Sequence, residues 1–187
     1  MARVPHITEA DLPTAQQDLL VSALQGTKLN SYRTVGNNPA VLYGLRTLLG
    51  SLWRDSGLDP AQRELVILAV ARETDAAYVW HQHVDIARDI GLSDAEIIAI
   101  SDGQLDSFDR GDRLLVEYAQ ATVRGTVDDA LADRLAVMVD DETVVGITTL
   151  ASGYLMVARL LDALAVETET PFVGWRLDAD STTELTE

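Results

Sequence analysis

The sequence predicts an all-α fold. Helix-start and helix-stop signals recur along its whole length, apolar residues return at spacings of three and four, and the density of caps leaves no room for strands. With 187 residues the chain is long enough for one domain with a sizeable core and too short for two comfortable ones. The expectation is a single domain over 1–187, with its core at about 38–166 and an irregular acidic tail at 171–187.

A first helical segment is expected from Pro13 to about Gln25, ended by Gly26, followed by a polar surface stretch through Asn38. Asn38-Pro39 is a cap followed by a first-turn proline, and Val41, Leu42, Leu45, Leu48 and Leu49 then trace an amphipathic helix over about 39–53. Asp59-Pro60 repeats the signal. The run Leu65-Val66-Ile67-Leu68-Ala69-Val70 is apolar on every face, so this helix is expected to sit centrally. The next helix, 76–90, closes at Gly91, and Ser93 with Glu96 forms a capping box that opens a short one. Helices follow at about 108–124, ended by Gly125, and near 127–139. Asp141 to Val166 is rich in Val and Ile at its start, but its length and periodicity favour helix. Gly146, Ser152 and Gly153 on it would let a neighbouring helix approach closely. Phe172 and Trp175 are expected to dock the tail, with the last acidic residues loose.

Composition narrows the function. A formal charge of −16 repels phosphate backbones and anionic lipid, so neither nucleic acid nor a membrane is an expected partner. There is no signal-peptide pattern and no run of about 18 uninterrupted apolar residues, which makes the expected location cytoplasmic. Without cysteine, thiolate nucleophiles, disulfides and cysteine-rich metal sites are excluded.

His83 lies on an apolar stripe with Val79, Ile86 and Ile90, pointing its imidazole at the core; His81, about 200° around an ideal helix, faces elsewhere. Glu64 shares a face with Leu68 and Ala71 on the central helix. If the two helices form an antiparallel hairpin turning near Asp75, Glu64 and His83 differ by three residues from the turn, roughly 4.5 Å along the axis and within side-chain reach. A carboxylate and an imidazole meeting in an apolar setting shift each other's proton affinity, as general acid–base pairs do; they can equally form a structural hydrogen bond.

These residues resemble a known superfamily, that of alkylhydroperoxidase D and carboxymuconolactone decarboxylase. Its redox branch carries Glu-x11-Cys-x2-Cys-x3-His. Counted from Glu64, that pattern falls on Ala76, Val79 and His83, so the glutamate and histidine are in register and both cysteines are replaced. The stretch ELVILAVARETDAAYVWHQHVDIARDIGLSDAEI is similar to the cysteine-free members, with Tyr78 and Trp80 before the histidine. The resemblance spans about Asn38 to Val166. It implies helical subunits assembling as homo-oligomers, trimers or hexamers, and chemistry without metal or organic cofactor. Ala76 and Val79 cannot perform peroxidatic thiol steps, so a thiol peroxidase is excluded.

The resemblance thus implies a cofactor-independent lyase of decarboxylase type, or an isomerase, acting on a small carboxylated lactone or keto acid. Glu64 and His83 are the expected catalytic pair, and Tyr78 and Trp80 the expected pocket residues. Lys28, the single lysine, lies in a polar segment and is a poor Schiff-base candidate. Positive charge for an anionic substrate is therefore assigned to Arg33, read as a loop residue, and Arg63. The alternative is a non-catalytic oligomer that binds a small molecule or a partner protein on the same fold.

Overall fold

The computed structural model describes residues 2–22 and 24–177. Among these there are eight α-helices, three short 3-10 segments and no strand. Most starts are where the caps demand. The first long helix is α2 (Pro39–Asp55), entered through Asn38, whose side chain accepts from the Val41 N–H, with Pro39 in the first turn. Asp59 and Gln62 form a reciprocal capping box at the head of α3 (Pro60–Glu73), and Ser93 and Glu96 do the same for α5 (Asp94–Asp102). Asp109, Asp128 and Asp140 cap α6 (Arg110–Arg124), α7 (Asp129–Met138) and α8 (Asp141–Ala163). Each accepts from an N–H left without a partner inside its helix.

The central helix is α3, as its all-round apolar run requires. Leu65 through Ala71 are all buried, and α3 packs against α5, α6, α8 and α4 (Ala77–Asp89). Between α3 and α4 the chain turns at Asp75, which takes the left-handed backbone (φ 51°) that Asp tolerates better than most residues. Its carboxylate accepts from Arg72 Nη1 at 2.6 Å. Length and composition would let α8 cross a membrane, but half of its most apolar stretch is buried within the chain.

The small residues of α8 serve packing inside the subunit. A Cβ at Gly146 would collide with the backbone carbonyl of Ser56, and one at Gly153 would stand 3.1 Å from the Leu52 side chain. The close approach is therefore made to α2 and the residue that follows it.

Two expectations for the N-terminal region need correction. The segment after Pro13 is a 3-10 stretch, Thr14–Leu20, ending in an isolated antiparallel bridge between Val21 and Lys28. Ser22 Oγ accepts from the backbone N–H groups of Leu24 and Gln25, a local alternative to helix. The carbonyls of Leu19 and Val21 are taken by Arg46 Nη1 of α2, each at 2.7 Å. The polar stretch before Asn38 holds a further helix, α1 (Asn30–Val35), with Ser31, Thr34 and Val35 buried. Ile7, Leu12, Leu20, Val35 and Leu42 form a second, smaller apolar cluster that fixes α1 against α2.

Phe172 and Trp175 dock as expected. Trp175 stands 5.4 Å from Trp80 and 5.1 Å from Phe172, ring centroid to centroid. The expected loose acidic end lies outside the described residues.

Candidate active site

The α3–α4 hairpin brings Glu64 and His83 together. Nδ1 of His83 lies 2.8 Å from Oε2 of Glu64; the carboxylate is fully buried and the imidazole nearly so. An ionised carboxylate only accepts, so Nδ1 carries the proton and Nε2 is the free ring nitrogen. Nε2 has no protein hydrogen-bond partner among the described residues. The ring is held by aromatic neighbours: Tyr154 of α8 meets it edge-on at 5.1 Å and 84°, and Trp53 of α2 lies at 6.4 Å.

His83 lines a cavity between α1, α2, α4 and α8, with about 490 Å³ of empty volume, part of it continuous with solvent. The wall is mostly aliphatic, including Leu45, Leu49, Val79 and Val157. Its polar groups are Ser31, Tyr32, Tyr78, Gln82, His83 and Tyr154. Burial, reinforced by the charge of Glu64, pushes the Tyr154 hydroxyl well above the ordinary phenol range. Tyr154 therefore stays a neutral donor across the physiological range.

Tyr78 lines this cavity as the sequence suggested. Its hydroxyl accepts from the Ser31 N–H at 3.1 Å and lies 2.7 Å from Glu169 Oε1, and burial raises its pKa. Glu169, in the C-terminal segment, also accepts from the Asn30 N–H and from Gln82 Nε2. One tail carboxylate thus ties two cavity residues to the start of α1.

Trp80 does not line the cavity. Its ring is fully buried and its indole N–H donates to the Gly174 carbonyl at 3.1 Å, so its role is to seat the tail. Arg33 is also displaced from its expected role. It lies in helix α1, not a loop, and donates to the Ile7 carbonyl and to Asn30 Oδ1. Arg63 is buried beside Glu64, but its guanidinium lies 3.8 Å over the Trp53 ring and Nη1 donates to the Trp53 carbonyl at 2.7 Å. Neither arginine lines the cavity. His81 points to the other side of α4 from His83, as its angular offset requires, with Nε2 3.0 Å from Thr170 Oγ1 and Nδ1 accepting from the Val173 N–H.

The sequence did not single out Tyr32, Trp53, Tyr154 or Glu169. Tyr154 left one signal, a phenol on the apolar stripe of Leu150, Val157 and Leu161 whose hydroxyl needs a polar neighbour. The others come together only through packing between distant segments.

Comparison with known proteins fits this geometry. Residues 39–107 match the model of the carboxymuconolactone decarboxylase family. The chain is 30% identical over 168 residues to the uncharacterized protein YnjA of Escherichia coli (strain K12), covering 87% of this chain and 92% of that one. Among solved structures, the alkylhydroperoxidase AhpD core of an uncharacterized peroxidase-related protein from Ralstonia eutropha JMP134 superposes with a TM-score of 0.80 at 18% identity, covering 94% of this chain and 96% of that one. The debrominase Bmp8, in a variant complexed with 2,3,4-tribromopyrrole, gives 0.79 at 16% identity, covering 91% and 95%. These structures share the fold. The sequence relative and the matched family model place this cysteine-free chain in the carboxymuconolactone decarboxylase family.

Proposed function

We propose that this protein is a proton-transfer enzyme, a lyase of decarboxylase type or an isomerase, acting on a small carboxylated lactone or keto acid. The observation that carries this is the 2.8 Å contact between Glu64 and His83, a residue of the cavity wall, which leaves Nε2 of the imidazole without a partner among the described residues. In the decarboxylase reaction the bond to the carboxylate breaks, carbon dioxide leaves, and the electron pair moves into the carbonyl system as an enolate. Protonated His83 then delivers the Nε2 proton to carbon, and a proton from solvent restores it. In the isomerase reaction neutral His83 takes a proton from carbon at Nε2 and returns it at another position. In both, Glu64 holds the tautomer and stabilises the imidazolium, while Tyr154 is a neutral donor close to the developing charge.

The apolar majority of the cavity wall supports a small organic molecule, and the tribromopyrrole complex of the debrominase shows that a protein of this fold accepts one. Chemistry that needs a peroxidatic thiol has no residue to perform it, because the chain has no cysteine. The proposed enzyme works in the cytoplasm as a homo-oligomer, whose mass light scattering would measure.

The test is a library of lactone and keto acids incubated with pure protein in deuterium oxide. Carbon dioxide release or deuterium incorporation that disappears in a folded His83→Ala protein is the expected result. No turnover and no exchange across the library would sink the assignment. The largely aliphatic wall also favours a second reading, a non-catalytic binder of small molecules on the same fold. In that case His83→Ala and Glu64→Gln change affinity or stability and abolish no reaction.

A further inference from the structure

The cavity wall contains no cation, yet two arginines stand directly behind it. A second cleft, with about 660 Å³ of empty volume including its open side, shares Tyr32, Leu49 and Tyr154 with the first and is lined further by Arg46, Gly50, Trp53 and Arg54. In a chain of formal charge −16, cations are readily consumed by carboxylates. Arg72, Arg88, Arg113, Arg124, Arg134 and Arg176 each hold an Asp or Glu. Among the described residues Arg3, Arg33, Arg46, Arg54, Arg63, Arg110 and Arg159 hold none, and of these only Arg46 and Arg54 line this cleft.

Both guanidiniums are placed for a ligand. Arg46 is anchored by Nη1 to the carbonyls of Leu19 and Val21 and stacks 4.5 Å over the Tyr32 ring, leaving Nε and Nη2 without an acceptor among the described residues. Arg54 lies two helical turns further along α2 and folds back over Gly50, where an added Cβ would stand 3.1 Å from its Nη1. Glycine in a helix interior is unfavourable relative to alanine; at position 50 its bare backbone is the floor on which the guanidinium rests. A planar guanidinium fixed on one edge and open on the other suits a carboxylate. The cleft is also close to the dyad: its residues Trp53 and Tyr154 have ring centroids 6.4 and 5.1 Å from that of His83.

We propose that Arg46 and Arg54 form the anion subsite of this enzyme, binding the carboxylate of a short keto acid or lactone acid whose carbonyl end reaches His83 past Tyr32 and Tyr154. The assignment rests on the proton-transfer reading for what happens at His83, and it moves the substrate's charge from Arg33 and Arg63 to this pair. A carboxylate held here is not the one lost as carbon dioxide. The substrates that fit are therefore dicarboxylates for the lyase reaction and monocarboxylates for the isomerase reaction.

Levulinate and its uncharged counterpart levulinamide separate the possibilities. Both are titrated into isotopically labelled protein while the Nε–Hε signals of Arg46 and Arg54 and the imidazole signals of His83 are followed. Levulinate is expected to perturb all three residues and to bind about tenfold more tightly than the amide, as a charge-assisted contact should. Arg54→Gln is expected to remove that preference without lowering the melting temperature. Gly50→Ala, which displaces the guanidinium but favours the helix, should weaken levulinate while holding or raising the melting temperature. Equal binding of acid and amide, unchanged affinity in Arg54→Gln, arginine shifts without a His83 shift, or no binding of levulinate overturns the subsite. If Arg54→Gln selectively loses levulinate while His83→Ala keeps full turnover on the lactone and keto acids, the subsite stands and the proton-transfer reading falls. If His83→Ala abolishes turnover while Arg54→Gln leaves KM for acids unchanged, the reverse holds.

Discussion

Glu64 and His83, nineteen residues apart in sequence, meet at 2.8 Å across the α3–α4 hairpin with the carboxylate fully buried. The other carboxylate oxygen, Oε1, is buried without a hydrogen-bond partner among the described residues.

The first prediction concerns this pair. His83→Ala should lower turnover by about 10²–10⁴-fold, the usual contribution of a positioned acid–base group, with the fold retained by circular dichroism. Glu64→Gln should lower it by less, since the amide oxygen can still accept from Nδ1. Glu64→Ala leaves Nδ1 unpartnered in an apolar surrounding and should also destabilise the protein by about 1–3 kcal/mol in urea unfolding.

Docking of the tail should weaken in acid. Burial lowers the pKa of His81 below its ordinary value, opposed by the charges of Asp85 and Glu169, and its Nδ1 accepts from the Val173 N–H. The docked state therefore binds fewer protons than the released one. Docking is fully supported above about pH 6.5 and is lost as pH falls through the lowered value. Fluorescence of Trp80 and Trp175 followed from pH 8 to 5 should report this, and His81→Gln should flatten the part of the change that His81 causes.

Tyr78→Phe removes a hydroxyl shared by Ser31 and Glu169. The expected cost is about 1–3 kcal/mol, the penalty for leaving buried polar groups unpaired. The tail should also become more susceptible to proteolysis at Arg176. Unchanged cleavage rates would mean that the Tyr78 hydroxyl does not help to hold the tail.

Gly146→Ala drives a methyl group into the Ser56 carbonyl and should destabilise the fold by about 1–3 kcal/mol. Gly44→Ala, on α2 with nothing within 4 Å of the new Cβ, should be neutral or stabilising. Urea midpoints of the two proteins compare the effects directly.

The helices were legible because their signals act within one turn. Asn38-Pro39, Asp59-Pro60 and the Ser93–Glu96 box specify their starts through contacts three residues away. The Glu64–His83 meeting was legible for a related reason: two helices joined by a short turn have a fixed register, so counting residues from Asp75 gives the axial offset. Helix α1 was not, since Asn30–Val35 has no side-chain cap and is held by the distant N-terminal cluster and by Tyr78.

What the sequence by itself determined is the all-α architecture, the central place of α3 and the facing of Glu64 by His83. All follow from helical periodicity and short-range capping. Only the tertiary structure decided where the long side chains go. Proximity to Glu64 suggested Arg63 for the substrate and the family resemblance suggested Trp80, but Trp53 captures the guanidinium and Gly174 the indole. The cavity is instead finished by Tyr32 and Tyr154, while Arg46 and Arg54 of α2 line the neighbouring cleft. Side-chain direction on a helix depends on what packs against it, and those partners lie many residues away, beyond the reach of any local pattern.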